Sequence, residues 1–313
     1  MSENARPAPE IVIVGSHAPG LFIRVQRIPV AGETVIGWGY EEPVDGGKGS
    51  NQAIAAARLG ARVSFVGCLG QDRLGDEGER WMREAGVDTR YVRRSQTTGT
   101  AVGFILLDAE GVPAMVTSLG ANAELNDEDV ATALAELRGA RVFLTQFEID
   151  LHLAVRAARL ARQAGMIAII NPGPAPDRPV AGLDAADLLV PNETEAKVLL
   201  GYAVSEEVDP SRLAQELRAK AGVPCVIVTV GEQGAVGADA AGAWRARPTA
   251  VTVADTSGAG DAFCAALAVA LARGQDTRAA AEWACRVAAI SVSRPGTIPS
   301  YPTAEEVSNF TGA

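Results

Sequence analysis

Residues 142–170, VFLTQFEIDLHLAVRAARLARQAGMIAII, decide the fold. The apolar runs at 142–145 and 167–170 have strand length, and residues 151–164 between them repeat apolar side chains at helical spacing. Strand, helix and strand in that order make a right-handed crossover between parallel strands. The alternation continues both ways along the chain. Further strands are expected at 11–14, 63–66, 188–190 and 226–230, with a helix at 53–59, so the chain reads as α/β, a mostly parallel central sheet with helices on both faces. Residues 21–44 and 100–118 break this rhythm. The second reads as a hairpin turning at Asp108-Ala109-Glu110-Gly111, and together they are expected to form a small β lid. With no internal repeat or linker, a single domain is expected over 11–303, flanked by tails at 1–10 and 304–313.

Composition narrows the chemistry. The 313 residues are 48% apolar and 21% charged, which suits a packed globular chain. Acidic residues outnumber basic ones 38 to 28, giving a net charge of -10 with no Lys or Arg cluster, so neither nucleic acid nor an anionic membrane surface is an expected partner. The longest apolar run, 262–272, has 11 residues, well short of the roughly 20 a membrane helix needs. The first ten residues lack the apolar core of an export signal, so the cytoplasm is the expected compartment. Cys68, Cys225, Cys264 and Cys285 are widely spaced in apolar settings and read as buried reduced thiols. With only His17 and His152, histidine-rich metal sites and a Ser-His-Asp triad are poor expectations.

Four segments remain to carry chemistry, three of them glycine-rich. Asp255-Thr256-Ser257-Gly258-Ala259-Gly260-Asp261 leads straight into an Ala/Leu-rich helix, where backbone N–H groups and the helix dipole make an anion hole. Asp261, in the first turn, is placed to accept a proton from a hydroxyl attacking phosphorus. The same residues alone also read as a glycine turn with an acid in the first helical turn. Gly46-Gly47-Lys48-Gly49-Ser50-Asn51-Gln52-Ala53 is not a Walker loop, since Gly49 stands where a hydroxyl should follow the lysine. Its glycines and Asn51 suit close approach to a polyhydroxy ligand, with Lys48 as an electrostatic or purely structural neighbour. Pro191-Asn192-Glu193-Thr194-Glu195 sets carboxylates at a strand's C-terminal end, where a water-rich Mg²⁺ beside phosphates would be held, and it equally reads as a capping box. Thr229-Val230-Gly231-Glu232-Gln233-Gly234 is a strand-end turn adequate for a nucleotide.

In order and spacing these segments resemble the ribokinase-like, or PfkB, family of carbohydrate kinases over about 11–300. The GGKGSNQA stretch is similar to the family's first signature and DTSGAGD to its second. The resemblance implies a ribokinase-like three-layer αβα sandwich with a β lid. It also implies ATP-dependent phosphorylation of a hydroxymethyl group of a small sugar, with Asp261 as base and the amides of Gly258, Ala259 and Gly260 stabilising the transferring group. By the same resemblance Asn192 and Glu195 organise Mg²⁺ and its waters, and Thr229 and Gly231, with Glu232 and Gly234 in the same turn, contact the nucleotide. Gly47, Lys48, Asn51 and Glu148 fall on the sugar side, while Asp255, Ser257, Ser291, Arg294, Gly296 and Ser300 surround a monovalent cation, K⁺. A regulatory protein that keeps the fold and binds without catalysis is the alternative.

One departure concerns the acceptor. Family members resembling this chain follow the first strand with GSxNxD, whose Asn and Asp grasp sugar hydroxyls, whereas here Gly15-Ser16-His17-Ala18-Pro19-Gly20 offers no polar side chain at 18 or 20. His17 and Asp45 are the polar newcomers expected to face that pocket. An open-chain or ketose sugar or a sugar acid is therefore expected as acceptor, with ribose poor, and ribose itself as the alternative. Phe22, Ile23, Val35, Ile36, Trp38, Val102, Phe104, Ile105 and Leu107 give the lid more apolar surface than a solvated sheet carries, which points to a homodimer joined through it.

Overall fold

A computed structural model describes residues 9–42, 45–176 and 179–310. The expected N-terminal tail falls almost wholly outside the described residues, as do positions 43–44 of the first lid segment. From the N-terminus the strands are β1 (Ile11–Val14), β2 (Gly20–Val25), β3 (Gly37–Glu41), β4 (Val63–Gly70), β5 (Asp88–Ser95), β6 (Val102–Leu107) and β7 (Pro113–Ser118). They continue with β8 (Val142–Gln146), β9 (Ile167–Asn171), β10 (Leu188–Leu189), β11 (Cys225–Thr229), β12 (Ala235–Asp239) and β13 (Gly242–Ala246). The helices are α1 (Gly47–Arg58), α2 (Arg73–Glu84), α3 (Asp127–Glu136), α4 (Leu151–Gln163), α5 (Glu193–Leu200), α6 (Pro210–Ala221), α7 (Ala259–Ala272), α8 (Thr277–Val292) and α9 (Ala304–Asn309).

The main sheet runs β13-β12-β11-β10-β9-β8-β1-β4-β5, parallel except for the antiparallel β12 and β13 at one edge. Alternation along β1 sorts the two cores. Ile11 and Ile13 point into the one built with α1, α7 and α8, and Val12 and Val14 into the one built with α3, α4 and α6. Helices on both faces make the three-layer αβα arrangement the sequence implies. Helix α7 is apolar all round because it is covered all round, by the sheet, α1 and α8. The lid is a separate four-stranded sheet, β3-β2-β6-β7, whose hairpin closes where expected, with Gly111 N donating to Asp108 O at 3.0 Å.

Three expectations need adjusting. Helix α1 begins at Gly47 and not at 53, so Gly47 and Gly49 lie within its first turn. Helix α9 falls within the stretch read as a C-terminal tail, packing Val307 into the core under a capping box from Thr303 to Glu306. Strands β5, β12 and β13 were not singled out, since their Arg, Gly and Ala residues carry little strand signal.

Candidate active site

The GGKGSNQA and DTSGAGD segments, about 210 residues apart, meet because α1 packs on α7. Asp261 is buried in the first turn of α7 and accepts from Gln52 Nε2 at 2.9 Å and from Asn51 Nδ2 at 3.2 Å. Gln52 is itself held: its amide also reaches Asn171 Oδ1 at 3.2 Å, Gln146 Nε2 donates to its oxygen, and Asn171 Nδ2 donates to Val190 O at 2.8 Å. The carboxylate is thus fixed by amides that bring no charge. Burial pushes the Asp261 carboxyl above its ordinary range, opposed by the Lys48 ammonium and the two amides. For Lys48, burial alone would lower its affinity for the proton, but the carboxylates of Asp261, Glu148 and Glu195 outweigh it and hold the ammonium charged.

Gly258 caps α7 with φ +73°, and a Cβ there would lie 2.6 Å from Tyr301 Oη, so only glycine fits this turn. A Cβ on Gly260 would meet nothing within 4 Å, which leaves the start of α7 open. Ala259 and Gly260 line one end of a cleft of about 1020 Å³ that continues past Thr256 and Phe263 to Thr229, Gly231, Glu232 and Gly234. Cys285, Ala288, Ala289 and Val292 of α8 give it an apolar wall. Part apolar and lined by the start of α7 at Ala259 and Gly260, the cleft is of a size and composition that suit a nucleotide.

Asn192 and Glu195 are locked in a capping box, Glu195 N to Asn192 Oδ1 and Asn192 N to Glu195 Oε2, both at 2.8 Å. The Glu195 side chain is buried beside Gly173, next to the Lys48 stem. At the start of α1, Glu148 Oε2 accepts from Ser16 Oγ at 2.6 Å and from Lys48 N at 2.8 Å, against Gly47 and Ala18. In the loop before α7, Asp255 ties two segments by accepting from Ser257 N at 2.8 Å and Gly296 N at 2.9 Å. The buried hydroxyls of Ser291 and Ser300 are 2.7 Å apart, and Arg294 sends its guanidinium outward to Glu306 at 2.8 Å.

His17 departs from expectation. Its ring is buried against Gly46, Gly78 and Trp81, with Nδ1 3.0 Å from Ser50 Oγ and Nε2 without a partner, so no face of it is open to an acceptor. Asn122 exchanges two 3.1 Å bonds with the His17 backbone, and the ring itself is held toward α2 by its contacts with Ser50, Gly78 and Trp81. Burial lowers the His17 pKa from 6.5 to about 4. The unfolded chain protonates this histidine below about pH 6.5 while the folded protein keeps it neutral, so stability tied to it is complete above that pH. It is lost as pH falls toward 4, by about 3 kcal/mol in all. Denaturant melts between pH 7 and 4 are expected to show this loss in the wild type relative to His17→Gln, and parallel pH curves would disprove it. Gln52, Gln146 and Asn171 were missed as site residues. Gln52 sits inside the quoted motif, but nothing in the sequence says which motif side chains turn toward a distant helix.

Comparison with known proteins agrees with this geometry. Residues 10–304 match the family described as pfkB family carbohydrate kinase. Ribokinase of Bacillus subtilis is 35% identical over 300 residues, covering 95% of this chain and 97% of its own. Deoxyribokinase of Salmonella typhimurium is 32% identical over 313 residues, covering 96% and 98%. The structure of Arabidopsis thaliana ribokinase complexed with ribose and ATP superposes with a TM-score of 0.86 at 30% identity, covering 97% of this chain and all of the other. The chain belongs to the pfkB family of carbohydrate kinases, and its fold is the ribokinase-like one. It is accordingly a phosphotransferase with an alcohol group as acceptor.

Proposed function

We propose that this chain transfers the γ-phosphoryl group of ATP to a hydroxymethyl group of a small polyhydroxy acceptor, with Asp261 as general base. The observation that carries this is the position of Asp261, one residue beyond the open amide turn at the end of the nucleotide cleft and bonded to Asn51 of the sugar-side motif. The acceptor hydroxyl gives its proton to the Asp261 carboxylate as its oxygen bonds to the γ-phosphorus. The bond from that phosphorus to the bridging oxygen breaks, and ADP leaves. The amides of Gly258, Ala259 and Gly260 face charge developing on the transferring group. Lys48 keeps charge balance among the carboxylates, and Glu148 holds the Lys48 backbone. The related ribokinase bound to ribose and ATP supports the same pair of substrate classes here. Phosphorus NMR of the product should show a phosphomonoester on a primary carbon, and a phosphate on any other carbon would contradict this reading.

Mg²⁺ fits beside Glu195 and Asn192, since a magnesium ion on phosphates needs only one or two carboxylates. It would neutralise phosphate charge. K⁺ fits between the 255–257 and 291–300 loops, where Asp255 joins the two and the Arg294 guanidinium is drawn away to Glu306. Replacing a bulky organic cation by K⁺ at constant ionic strength is expected to raise both activity and thermal stability, and equal values in the two salts would count against the site.

The lid supports a homodimer. Ile36, Met115 and Val116 are 86%, 67% and 71% exposed, and Trp38, Tyr40 and Phe104 about half exposed, whereas Ile105 turns inward. Phe104 and Val116 pair on one face of the lid and Met115 lies on the other, and apolar side chains this exposed on a small sheet are ordinarily covered. Light scattering at micromolar concentration is expected to give twice the chain mass, and Val116→Lys to reduce it; a monomer mass in the wild type would refute the dimer. No helix among the described residues is long and apolar enough to cross a membrane, and the four buried free thiols suit a reducing compartment such as the cytoplasm.

A further inference from the structure

The wall of the acceptor pocket at 18 and 20 has been rebuilt. A Cβ on Gly20 would lie 2.9 Å from Phe22 Cε2 and 3.1 Å from Ile105 Cδ1, so apolar atoms occupy the space a side chain there would need. Asp45 Oδ2 lies 3.6 Å from the same point, arriving from the loop that leads into α1. Its other oxygen accepts from Asn51 Nδ2 at 2.7 Å, and that one nitrogen also donates to Asp261 Oδ2 at 3.2 Å. Asn51 Oδ1 accepts from Gly46 N at 3.0 Å, so the amide cannot turn over without setting its oxygen against two carboxylates. Asp45 is thereby held one amide away from Asp261.

We propose that Asp45 is a specificity-determining residue of the acceptor site, which receives hydroxyl donors of a neutral polyol and turns away acceptors carrying a negative charge. The inference rests on the kinase reading above. Asp45, Glu148 and Asp261 crowd the acceptor end, with Glu195 behind them, and Lys48 already answers three of these four carboxylates. His17, the other polar newcomer, is closed off against α2 and supplies no positive charge. A bound carboxylate would meet like charge, with Lys48 the cation that the described residues set among these carboxylates and already engaged by three of them, whereas paired hydroxyls would each donate to an oxygen already in place. Sugar acids, allowed by the sequence, are thus the acceptors this pocket excludes.

The test compares neutral pentoses, ketopentoses and pentitols with the corresponding pentonates, in wild type, Asp45→Asn and Asp45→Ala. Wild type is expected to favour its best neutral acceptor over any pentonate by at least ~10²-fold in kcat/KM. Asp45→Asn should raise KM for that acceptor by ~10-fold, leave the ATP KM within a few fold, and cut the neutral-to-acid ratio by ~10-fold. A merely structural role would lower both acceptor classes together and leave the ratio unchanged, which would overturn the proposal, as would a wild type that prefers a pentonate. Calorimetry of the same acceptors without ATP reads the discrimination independently of turnover. Neutral acceptors that bind selectively but are never phosphorylated would sink the kinase reading while upholding the role of Asp45.

Discussion

Asp261→Asn is expected to lower kcat by about 10²- to 10⁴-fold while ATP affinity stays within a few fold. The substitution keeps the side chain's shape but removes the group that takes the proton. It also sets an amide against the donors of Asn51 and Gln52, which now both meet a carboxylate. Nucleotide binding is spared because the cleft touches Ala259 and Gly260 but not residue 261. Steady-state kinetics and calorimetry read the two quantities separately. A variant keeping more than about a tenth of the rate falls below the range of general base catalysis and would remove Asp261 from that role.

Gly49→Ala is expected to cost about 3 kcal/mol of stability, the upper end for overpacking, and to lower Tm by about 5 °C. A Cβ at 49 would lie 2.5 Å from Ser16 N, 2.6 Å from Ser16 O and 2.8 Å from Gly15 C, all backbone atoms that cannot swing aside. Helix α1 approaches the end of β1 this closely because Ser50 N donates to Ser16 O at 2.9 Å, and that contact sets Asn51 and Gln52 against Asp261. Activity should therefore fall with stability. Gly260→Ala is the control, since its Cβ would enter open space, and its thermal midpoint is expected to stay near that of the wild type. Equal stability of Gly49→Ala and wild type in thermal melts would show that the packing at 49 is looser than described.

The parallel sheet was legible because β1, β8 and β9 are short apolar runs separated by helical periodicity, a signal that depends only on burial on both faces. The antiparallel strands β12 and β13 were not, since Ala235–Asp239 and Gly242–Ala246 carry modest side chains whose strand character comes from their neighbours. At the site, residues in the quoted motifs were legible by type and spacing. The amide relay from Gln146 through Gln52 to Asp261 was hidden, because it joins β8, α1 and α7 through contacts 94 and 209 residues apart. His17 shows the converse failure. A polar residue beside a pocket in sequence has its ring packed against α2, by contacts with Gly78 and Trp81 that only the folded chain brings to it.

The central claim is acceptor-dependent phosphoryl transfer, and coupled ADP release with ATP, Mg²⁺ and K⁺ across pentoses, ketoses, polyols, sugar acids and nucleosides tests it most directly. The expected result is ADP formed in step with a neutral polyhydroxy acceptor and abolished to background by Asp261→Asn. ADP release that no acceptor stimulates, in protein that binds ATP, would contradict it.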